Sequence, residues 1–269
     1  MAIITISRGT HSGGDNLAMC LAEKLNCKTL SREELLTEAA RRFTVDEDSL
    51  KKALEHKPGF LQSKLRVIHY IAYIRAVLLR KAAECDLNLI YHGQAGHLLI
   101  PDAPNLLRVK VIADMEYRIK TVMERDGLTR DDAVDFIHAR DTERDRWVKT
   151  IFGVDRNDAT AYDVVVNIEK ISLDVACDMV LVAVRQGLPV TSTSRKAIRD
   201  LVLAADVRAQ IATSRKADDS KVEITADDGV ITISGTLRSV ADADEVRAKI
   251  REVEGVKDIK SEEHIVNYW

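Results

Sequence analysis

A glycine-rich loop lies between a predicted strand and a predicted helix near the N-terminus, and this order constrains the fold more than any other feature. Residues 2–7 form a β-branched run, and Leu17, Leu21 and Leu25 follow the loop at helical spacing. Residues 9–14, with the sequence Gly-Thr-His-Ser-Gly-Gly, let backbone N–H groups turn inward around an anion at the positive end of the helix. The segment therefore predicts an α/β fold with a phosphate site at this loop, although any tight strand-to-helix turn can contain glycines.

The loop departs from a complete P-loop at its last two positions. A complete motif continues with Lys, which reaches the outer phosphates, and then with Ser or Thr, whose hydroxyl binds magnesium. Asp15 and Asn16 stand in these two positions here. A carboxylate weakens the attraction to a triphosphate unless another charge compensates. We expect Arg8 and arginines further along the chain to provide that compensation.

Strand and helix patterns alternate as far as residue 187, which is typical of a parallel sheet with helices. Residues Ser31 to Glu34 form a capping box at the start of a helix. The predicted elements of this region are a helix from that box to residue 42, helices at 46–55 and 62–85, strands at 87–91 and 109–113, a helix at 115–125, a charge-dense helix from 129 past 147, a strand at 162–167 and a helix at 173–185.

Turn-forming and polar residues at 187–194 predict a linker between two domains. A chain of 269 residues with 46% hydrophobic residues is also long enough for two cores. We expect domains at 1–188 and 194–267, and we expect cleavage in the linker to release two folded pieces. The elements predicted beyond the linker are a helix at 196–213, strands at 221–225 and 230–235, a helix at 240–253 and a strand at 256–266.

Composition argues against several classes of partner and site. The formal net charge of -3 provides no positive field for nucleic acid. No apolar stretch approaches the ~20 residues that a transmembrane helix needs, and the first residues contain no basic leader, so we expect a cytoplasmic protein. The four cysteines have no short paired spacing, which predicts reduced thiols, no disulfide and no metal cage.

Several segments, taken in order, resemble the cytidylate-kinase-like branch of the P-loop nucleoside monophosphate kinases. Residues 4–8, the Ser-Gly-Gly turn at 12–14 and the Leu-Ala-Glu-Lys-Leu sequence at 21–25 are similar to the opening of that family. The resemblance covers residues 1–187 and implies a P-loop three-layer parallel sheet with a helical lid. The other matching segments are residues 89–97 with Pro-Asp-Ala-Pro at 101–104, similar to the substrate loop, residues 139–147, similar to the arginine-rich lid, and residues 162–167, similar to a later strand.

The resemblance implies ATP-dependent phosphoryl transfer to a nucleoside monophosphate, with CMP the first substrate to test and Mg²⁺ arriving with ATP. For the lid arginines and the acceptor-side arginine, a solvated helix surface is the alternative. The residues that match the family's pattern are Arg140, Arg144 and Arg146 for the lid, Arg8, Gly9, Ser12, Gly13, Gly14 and Asn16 for phosphate, and Gly93, Gln94 and Arg118 for the acceptor.

The substrate loop favours a second hypothesis. The loop of the family reads Asp-Gly-Arg-Asp, whereas His92, Gln94 and Ala95 stand in three of these positions and only Gly93 is retained. Together with Asp15, these differences favour a catalytically weak or inactive nucleotide-sensing protein whose kinase fold reports to the C-terminal segment. A third hypothesis is an interaction scaffold that binds no nucleotide.

The C-terminal segment resembles a BON domain over about 194–266. Polar and apolar residues alternate on both sides of an Asp-Asp-Gly turn at 227–229, which is a hairpin signature. The order of helix, two strands, helix and strand (αββαβ) predicts a small α+β fold. We expect Gly229, Gly235 and Gly255 to serve turns, and the resemblance implies a protein or ligand partner for this segment.

Overall fold

The computed structural model describes residues 2–55, 64–100, 103–214, 219 and 221–266, and its contacts divide the chain into two compact units. Residues 36–53 and 58–83 belong to the same unit as the C-terminal residues, although the sequence places them before the predicted boundary at 188–194. That boundary stays a prediction. The first unit contains Met1–Leu35, Leu54–Lys57 and Glu84–Val190, and the second contains Leu36–Ala53, Pro58–Ala83 and Thr191–Trp269.

Strands and helices alternate up to residue 187, as the sequence predicts. The elements in chain order are β1 (Ile3–Arg8), α1 (Gly14–Leu25), β2 (Lys28–Ser31), α2 (Arg32–Phe43), α3 (Glu47–Glu55), α4 (Lys64–Glu84), β3 (Leu89–His92), α5 (Gly96–Leu99), β4 (Leu106–Ile112), α6 (Met115–Asp126), α7 (Arg130–Phe152), β5 (Val164–Asn167) and α8 (Leu173–Gly187). Strands β1 to β5 are parallel, in the order β2-β3-β1-β4-β5. Within the described ranges, no helix is long and apolar enough to cross a membrane.

The sheet of the first unit carries helices on both faces. Ile4 and Ile6 of β1 lie in one apolar core with residues of α1 and α8. Because side chains alternate along a strand, Thr5 faces the other side. There, a methyl group added to Gly96 at the start of α5 would lie 3.1 Å from Thr5 Cβ, so this short helix packs closely on the sheet. The predicted three-layer α/β fold is confirmed.

Two short elements of the first unit do not follow from the sequence patterns. Strand β2 has four residues and helix α5 has four, and neither is long enough to show a period. The capping box predicted before α2 is present, because the Ser31 N–H donates to the Glu34 carboxylate at 2.7 Å and the Glu34 N–H donates to the Ser31 hydroxyl at 3.2 Å.

The predicted linker is too long at its C-terminal end. Helix α9 (Ser192–Thr213) already includes Ser192 to Ser194. The Ser194 N–H donates to the Thr191 hydroxyl at 3.1 Å, and the Thr191 N–H donates to the Ser194 hydroxyl at 2.7 Å. These polar residues therefore form a capping box that starts a helix rather than a flexible connection.

The C-terminal part of the second unit contains a small mixed sheet. After α9 the elements are β6 (Val222–Asp227), β7 (Val230–Leu237), α10 (Val240–Arg251), β8 (Asp258–Ser261) and β9 (His264–Ile265). Strand β6 is antiparallel to β7, and both β8 and β9 are parallel to β7. In place of the single strand predicted at 256–266 there are two shorter strands, β8 and β9, and the break between them lies opposite Gly235 of β7, whose φ is 97°.

Helices α2 and α4 contact α9 through polar groups within the second unit. The Asp206 carboxylate of α9 accepts a hydrogen bond from Arg42 at 2.9 Å and pairs with Arg80. The buried Tyr73 hydroxyl donates to the Ala212 carbonyl at 2.8 Å. Residues from both sides of the predicted linker therefore share one packed unit.

Candidate phosphate-binding site

A cavity of about 390 Å³ opens in the first unit at the carboxyl ends of β1 and β3, beside the loop that precedes α1. Ligands of parallel α/β sheets bind at this edge. An excess of positive charge in such a cleft attracts a polyanion. The lining contains six arginines, Arg8, Arg32, Arg125, Arg140, Arg144 and Arg156, and three carboxylates, Asp15, Glu33 and Glu143.

The loop turns sharply before α1. His11 and Gly13 have φ angles of 55° and 75°, and the Ser12 N–H donates to the Gly9 carbonyl at 3.3 Å. The positive φ of Gly13 favours glycine there, and a Cβ at this position would lie 2.2 Å from Ile168 Cδ1, so the end of that side chain would have to shift. The turn directs the positive end of α1 to the cavity.

Asp141 of α7 fastens this loop to the lid helix. Its carboxylate accepts hydrogen bonds from the Thr10 N–H at 3.1 Å and from the Thr10 hydroxyl at 2.8 Å, and it pairs with Arg118. Arg118 Nε in turn donates to the Thr10 carbonyl at 2.8 Å. Burial acts to raise the pKa of Asp141, but Arg118 and Thr10 outweigh it and hold the pKa below its ordinary value. Asp141 is therefore a charged clip between α7 and the loop.

Arg144 lies beside this clip, at the cavity. Its Nη1 donates to the Thr10 hydroxyl at 3.1 Å. Burial, followed by the charges of Arg8 and Arg156, lowers the pKa of Arg144 to about 10. Three guanidinium groups are thus close enough to repel one another, and a bound anion would relieve this repulsion.

The structure places the other two predicted lid arginines differently. Arg140 lines the cavity, with its guanidinium 5.6 Å from the centre of the Phe136 ring. Arg146 is exposed and is not among the residues that line the cavity. Of the three predicted lid residues, Arg140 and Arg144 meet at the site. The catalytic roles of all three stay predictions.

The predicted phosphate and acceptor residues divide into two groups. Gly14 packs against the Arg8 side chain, Asn16 is exposed on α1, and Arg118 holds the loop backbone; these three do not line the cavity. Their roles in binding stay predictions, as do those of the residues at the cavity. The predicted residues that line it are Arg8, Gly9, Ser12, Gly13, Gly93 and Gln94.

Asp15, which stands in the position of the P-loop lysine, has two partners. Its Oδ1 lies 2.9 Å from Arg8 Nη2 and 3.0 Å from His92 Nδ1. The hydrogen bond with His92 lowers the pKa of Asp15 most, burial opposes it, and the charge of Arg8 supports it, so the pKa lies below its ordinary value. Part of the positive charge of Arg8 is therefore committed to Asp15.

Replacing Asp15 with Asn is expected to tighten ATP binding about three- to tenfold in dilute buffer, because it removes a like charge from the cavity and releases Arg8. Calorimetry without magnesium measures this difference. It should shrink as salt is added, since exposed charges are screened. Unchanged or weaker ATP binding by the folded variant would contradict the repulsion.

The same substitution should change the acid stability of the protein. The pKa of Asp15 is lowered from 3.8 on folding, so its interactions stabilise the fold above that value and are lost as the pH falls through the lower folded-state pKa. The free energy of unfolding of the wild type should therefore fall more steeply below about pH 4 than that of the variant. Urea unfolding at several pH values compares the two slopes, and equal slopes would count against the Asp15 interactions.

A parallel sheet in the order β2-β3-β1-β4-β5, with a glycine turn between β1 and α1, defines the class of P-loop kinase-like folds. The sequence model of the cytidylate kinase-like family matches residues 3–170, and that of the BON domain matches residues 199–266. The chain belongs to the cytidylate kinase-like family and carries a BON domain after the family segment. Both resemblances in the sequence are confirmed.

Relatives named cytidylate kinases are similar to the chain over most of their own length. The cytidylate kinase of Methanopyrus kandleri is 27% identical over 172 residues, which are 64% of this chain and 87% of the relative. That of Pyrobaculum aerophilum is 26% identical over 194 residues, which are 72% of this chain and 95% of the relative. A crystal structure of an uncharacterized protein from Eubacterium ventriosum, 22% identical, covers 69% of this chain and 99% of its own with a TM-score of 0.54, and supports the fold.

Proposed function

We propose that the chain is an ATP-dependent nucleoside monophosphate kinase, with CMP the first acceptor to test. The six-arginine cavity beside the loop before α1 carries this proposal. Phosphoryl transfer needs little covalent chemistry from the protein and depends on positioning and on neutralising the charge of the transferred group. The relatives named cytidylate kinases support CMP as the acceptor.

The loop and the lid would divide the donor phosphates between them. Ser12 and Gly13 belong to the loop at the positive end of α1, where phosphate is favoured. Arg140 and Arg144 come from α7 and offer guanidinium N–H groups to the equatorial oxygens of the transferred phosphoryl group. The Asp141 clip holds α7 at the loop, which also limits the access of water.

Magnesium bound to ATP would supply part of the charge neutralisation. Among the residues described by the structure, no three His, Cys, Asp or Glu side chains are grouped as metal ligands. Asn16, which stands in the position of the magnesium-binding hydroxyl of a P-loop, is exposed and outside the cavity, whereas Ser12 is buried, lines the cavity and carries a hydroxyl. We therefore assign the protein's contact with this ion to Ser12.

The acceptor would lie at the segment after β3. Gly93 and Gln94 line the cavity there, together with Arg32 at the start of α2. A side chain at Gly93 would place its Cβ 2.3 Å from the Tyr91 hydroxyl, so the backbone of this segment is tightly packed. The Gln94 amide has both donors and an acceptor, which suits the polar edge of a nucleobase.

A nucleotide-sensing protein without turnover is the second candidate. The acidic Asp15 at the loop, held by Arg8 and His92, favours it because this carboxylate opposes a triphosphate. The departures from the family's substrate loop at Gln94 and Ala95 favour it too. In this candidate the BON domain would carry the signal to a protein or ligand partner.

One pair of experiments separates these candidates. Calorimetry with ATP, ADP and CMP in the presence of magnesium measures binding, and an enzyme-linked assay of ADP release across nucleoside monophosphates measures turnover. Turnover with at least one nucleoside monophosphate supports the kinase. Binding without turnover selects the sensor, and no binding of any nucleotide would overturn both.

Replacing Gly14 with Val is expected to weaken ATP binding about tenfold, through Arg8. An added Cβ would lie 2.5 Å from Arg8 Cδ, so this side chain must leave its position beside the loop. A lost charge-assisted hydrogen bond accounts for an effect of that size. Gly187→Val is the matched control, because a Cβ there meets nothing within 4 Å. Equal ATP affinity of the two folded variants in calorimetry would remove Arg8 from the phosphate site.

A further inference from the structure

Arg156 is a buried cation that none of the roles above uses. Its side chain is 8% exposed and lines the cavity. Its Nε lies 2.7 Å from Asp145 Oδ1, and its Nη1 donates to the Arg8 carbonyl at 3.1 Å. Its Nη2 is 3.8 Å from Asp141, which is beyond hydrogen-bond distance. One face of the guanidinium is thus held by protein while the group still reaches the cavity.

Other cations around the loop have carboxylate partners as well. Arg8 pairs with Asp15 at 2.9 Å, and Arg118 is held by Asp141. A cation that must replace the absent P-loop lysine has to be fixed relative to the loop and buried enough for its charge to act strongly. Arg156 meets both conditions, because its Nη1 is bonded to the backbone at the end of β1.

We propose that Arg156 binds a phosphate group of the nucleotide and takes the place of the P-loop lysine. This inference rests on the proposed function, since it requires a polyphosphate in the cavity. Arg156 holds the Arg8 carbonyl and the Asp145 carboxylate with two of its nitrogens, and its third nitrogen, 3.8 Å from Asp141, would contact the ligand. The planar guanidinium is thereby oriented before the ligand arrives, which reduces the entropy lost on binding.

The fold holds this segment by its backbone as well as by the Arg156 side chain. The Arg156 carbonyl accepts hydrogen bonds from Lys110 Nζ at 3.0 Å and from the Tyr162 hydroxyl at 2.9 Å. A substitution of the side chain leaves both contacts in place. Variants at this position are therefore expected to fold.

The test uses inorganic tripolyphosphate and ATP as probes in calorimetry, on the full chain. Arg156→Met should raise the Kd for both about 10- to 100-fold, which corresponds to a hydrogen bond with a charged group. Arg156→Lys keeps the positive charge but lacks the planar guanidinium, so its affinity for both probes should fall less than that of Arg156→Met. Arg185→Met, at an exposed arginine of α8 outside the cavity, should stay within about twofold of the wild type.

Asp145→Asn separates binding from a merely structural role. It removes the anionic partner of Arg156 Nε but leaves the guanidinium, so the affinity for tripolyphosphate should stay within about threefold of the wild type or increase. The inference would be overturned if Arg156→Met and Asp145→Asn lost the same amount of affinity for tripolyphosphate. It would also be overturned if folded Arg156→Met bound tripolyphosphate as tightly as the wild type. If Arg156→Met does not fold, Arg156→Gln takes its place in the test, and wild-type affinity in that folded variant overturns the inference.

The same measurements distinguish this inference from the proposed function. If the wild type binds tripolyphosphate and Arg156→Met does not, the inference holds even when no nucleoside monophosphate is phosphorylated. If the wild type phosphorylates CMP and Arg156→Met binds tripolyphosphate as well as the wild type, only the inference fails. If the wild type binds neither probe, both fail.

Discussion

Alanine in place of Arg144 is expected to lower the kcat for phosphorylation of a nucleoside monophosphate about 10²- to 10³-fold while raising the Kd for ATP less than about tenfold. Arg144 lies at the cavity on the lid helix, with its Nη1 bonded to the Thr10 hydroxyl at 3.1 Å. Negative charge on the equatorial oxygens matters most in the transition state, so the loss should appear mainly in turnover. The pKa of Arg144 is lowered to about 10, so it remains a cation at neutral pH.

Steady-state kinetics and calorimetry on the same preparations measure the two effects separately. Arg185→Ala is the control, since this arginine of α8 is exposed and outside the cavity, and its kcat should stay within about twofold. Arg140→Ala should lie between the two, because Arg140 lines the cavity with 47% of its side chain exposed. Equal kcat values for Arg144→Ala and Arg185→Ala would remove Arg144 from the catalytic group.

The sequence predicts the fold well where its signals are periodic. Long elements such as α7, with 23 residues, repeat their apolar positions often enough to be recognised. Strand β2 has one buried residue, Leu30, and cannot show a period. The break between β8 and β9 lies opposite Gly235 in the neighbouring strand, so its position is a property of strand pairing that residues 256–266 alone do not show.

The site is predictable only in part, because much of it comes from residues distant in sequence. The loop before α1 has a local signal, since Gly13 occupies a backbone conformation that favours glycine. The Asp141 clip joins residues 131 positions apart, and no pattern along the chain records it. Arg156 follows α7 outside any motif, and its contact with the Arg8 carbonyl appears only when the chain is folded. In the sequence, the only sign of a role for Arg156 is its position just after an arginine-rich helix.

Helix α9 has two buried faces, so the C-terminal segment packs against more than its own sheet and helix. Val207 and Ile211 belong to the apolar core that α9 forms with β7 and α10. Ala205, Ala209 and Ala212 are also buried, at helical spacing, but lie outside that core. Helices α2 and α4 contact α9 within the second unit, through the hydrogen bonds from Arg42 to Asp206 and from Tyr73 to the Ala212 carbonyl.

Ending the chain at Val190 is therefore expected to destabilise the helical segment at 64–83. The buried Tyr73 hydroxyl loses its acceptor at Ala212, which costs ~1–3 kcal/mol, and the apolar surface opposite α9 becomes exposed. His69 also loses Asp219, 2.8 Å away. A total near ~3 kcal/mol would lower the Tm by roughly 6–12 °C. Hydrogen exchange at 64–83 should approach that of an unfolded segment, and differential scanning fluorimetry of the truncated and full chains measures the shift in Tm.

A chain cut at 188–190 with both pieces present is the matched control. Because the second unit is built from residues on both sides of the cut, the two pieces should remain together in gel filtration and keep the Tm of the intact chain within about 3 °C. Asp206→Asn in the cut chain should weaken this association, since it removes the charge that holds Arg42 and Arg80. Pieces that separate and each melt like the intact protein would instead support the two independent domains expected from the linker sequence, and the buried contacts of α9 with α4 would then contribute little to stability.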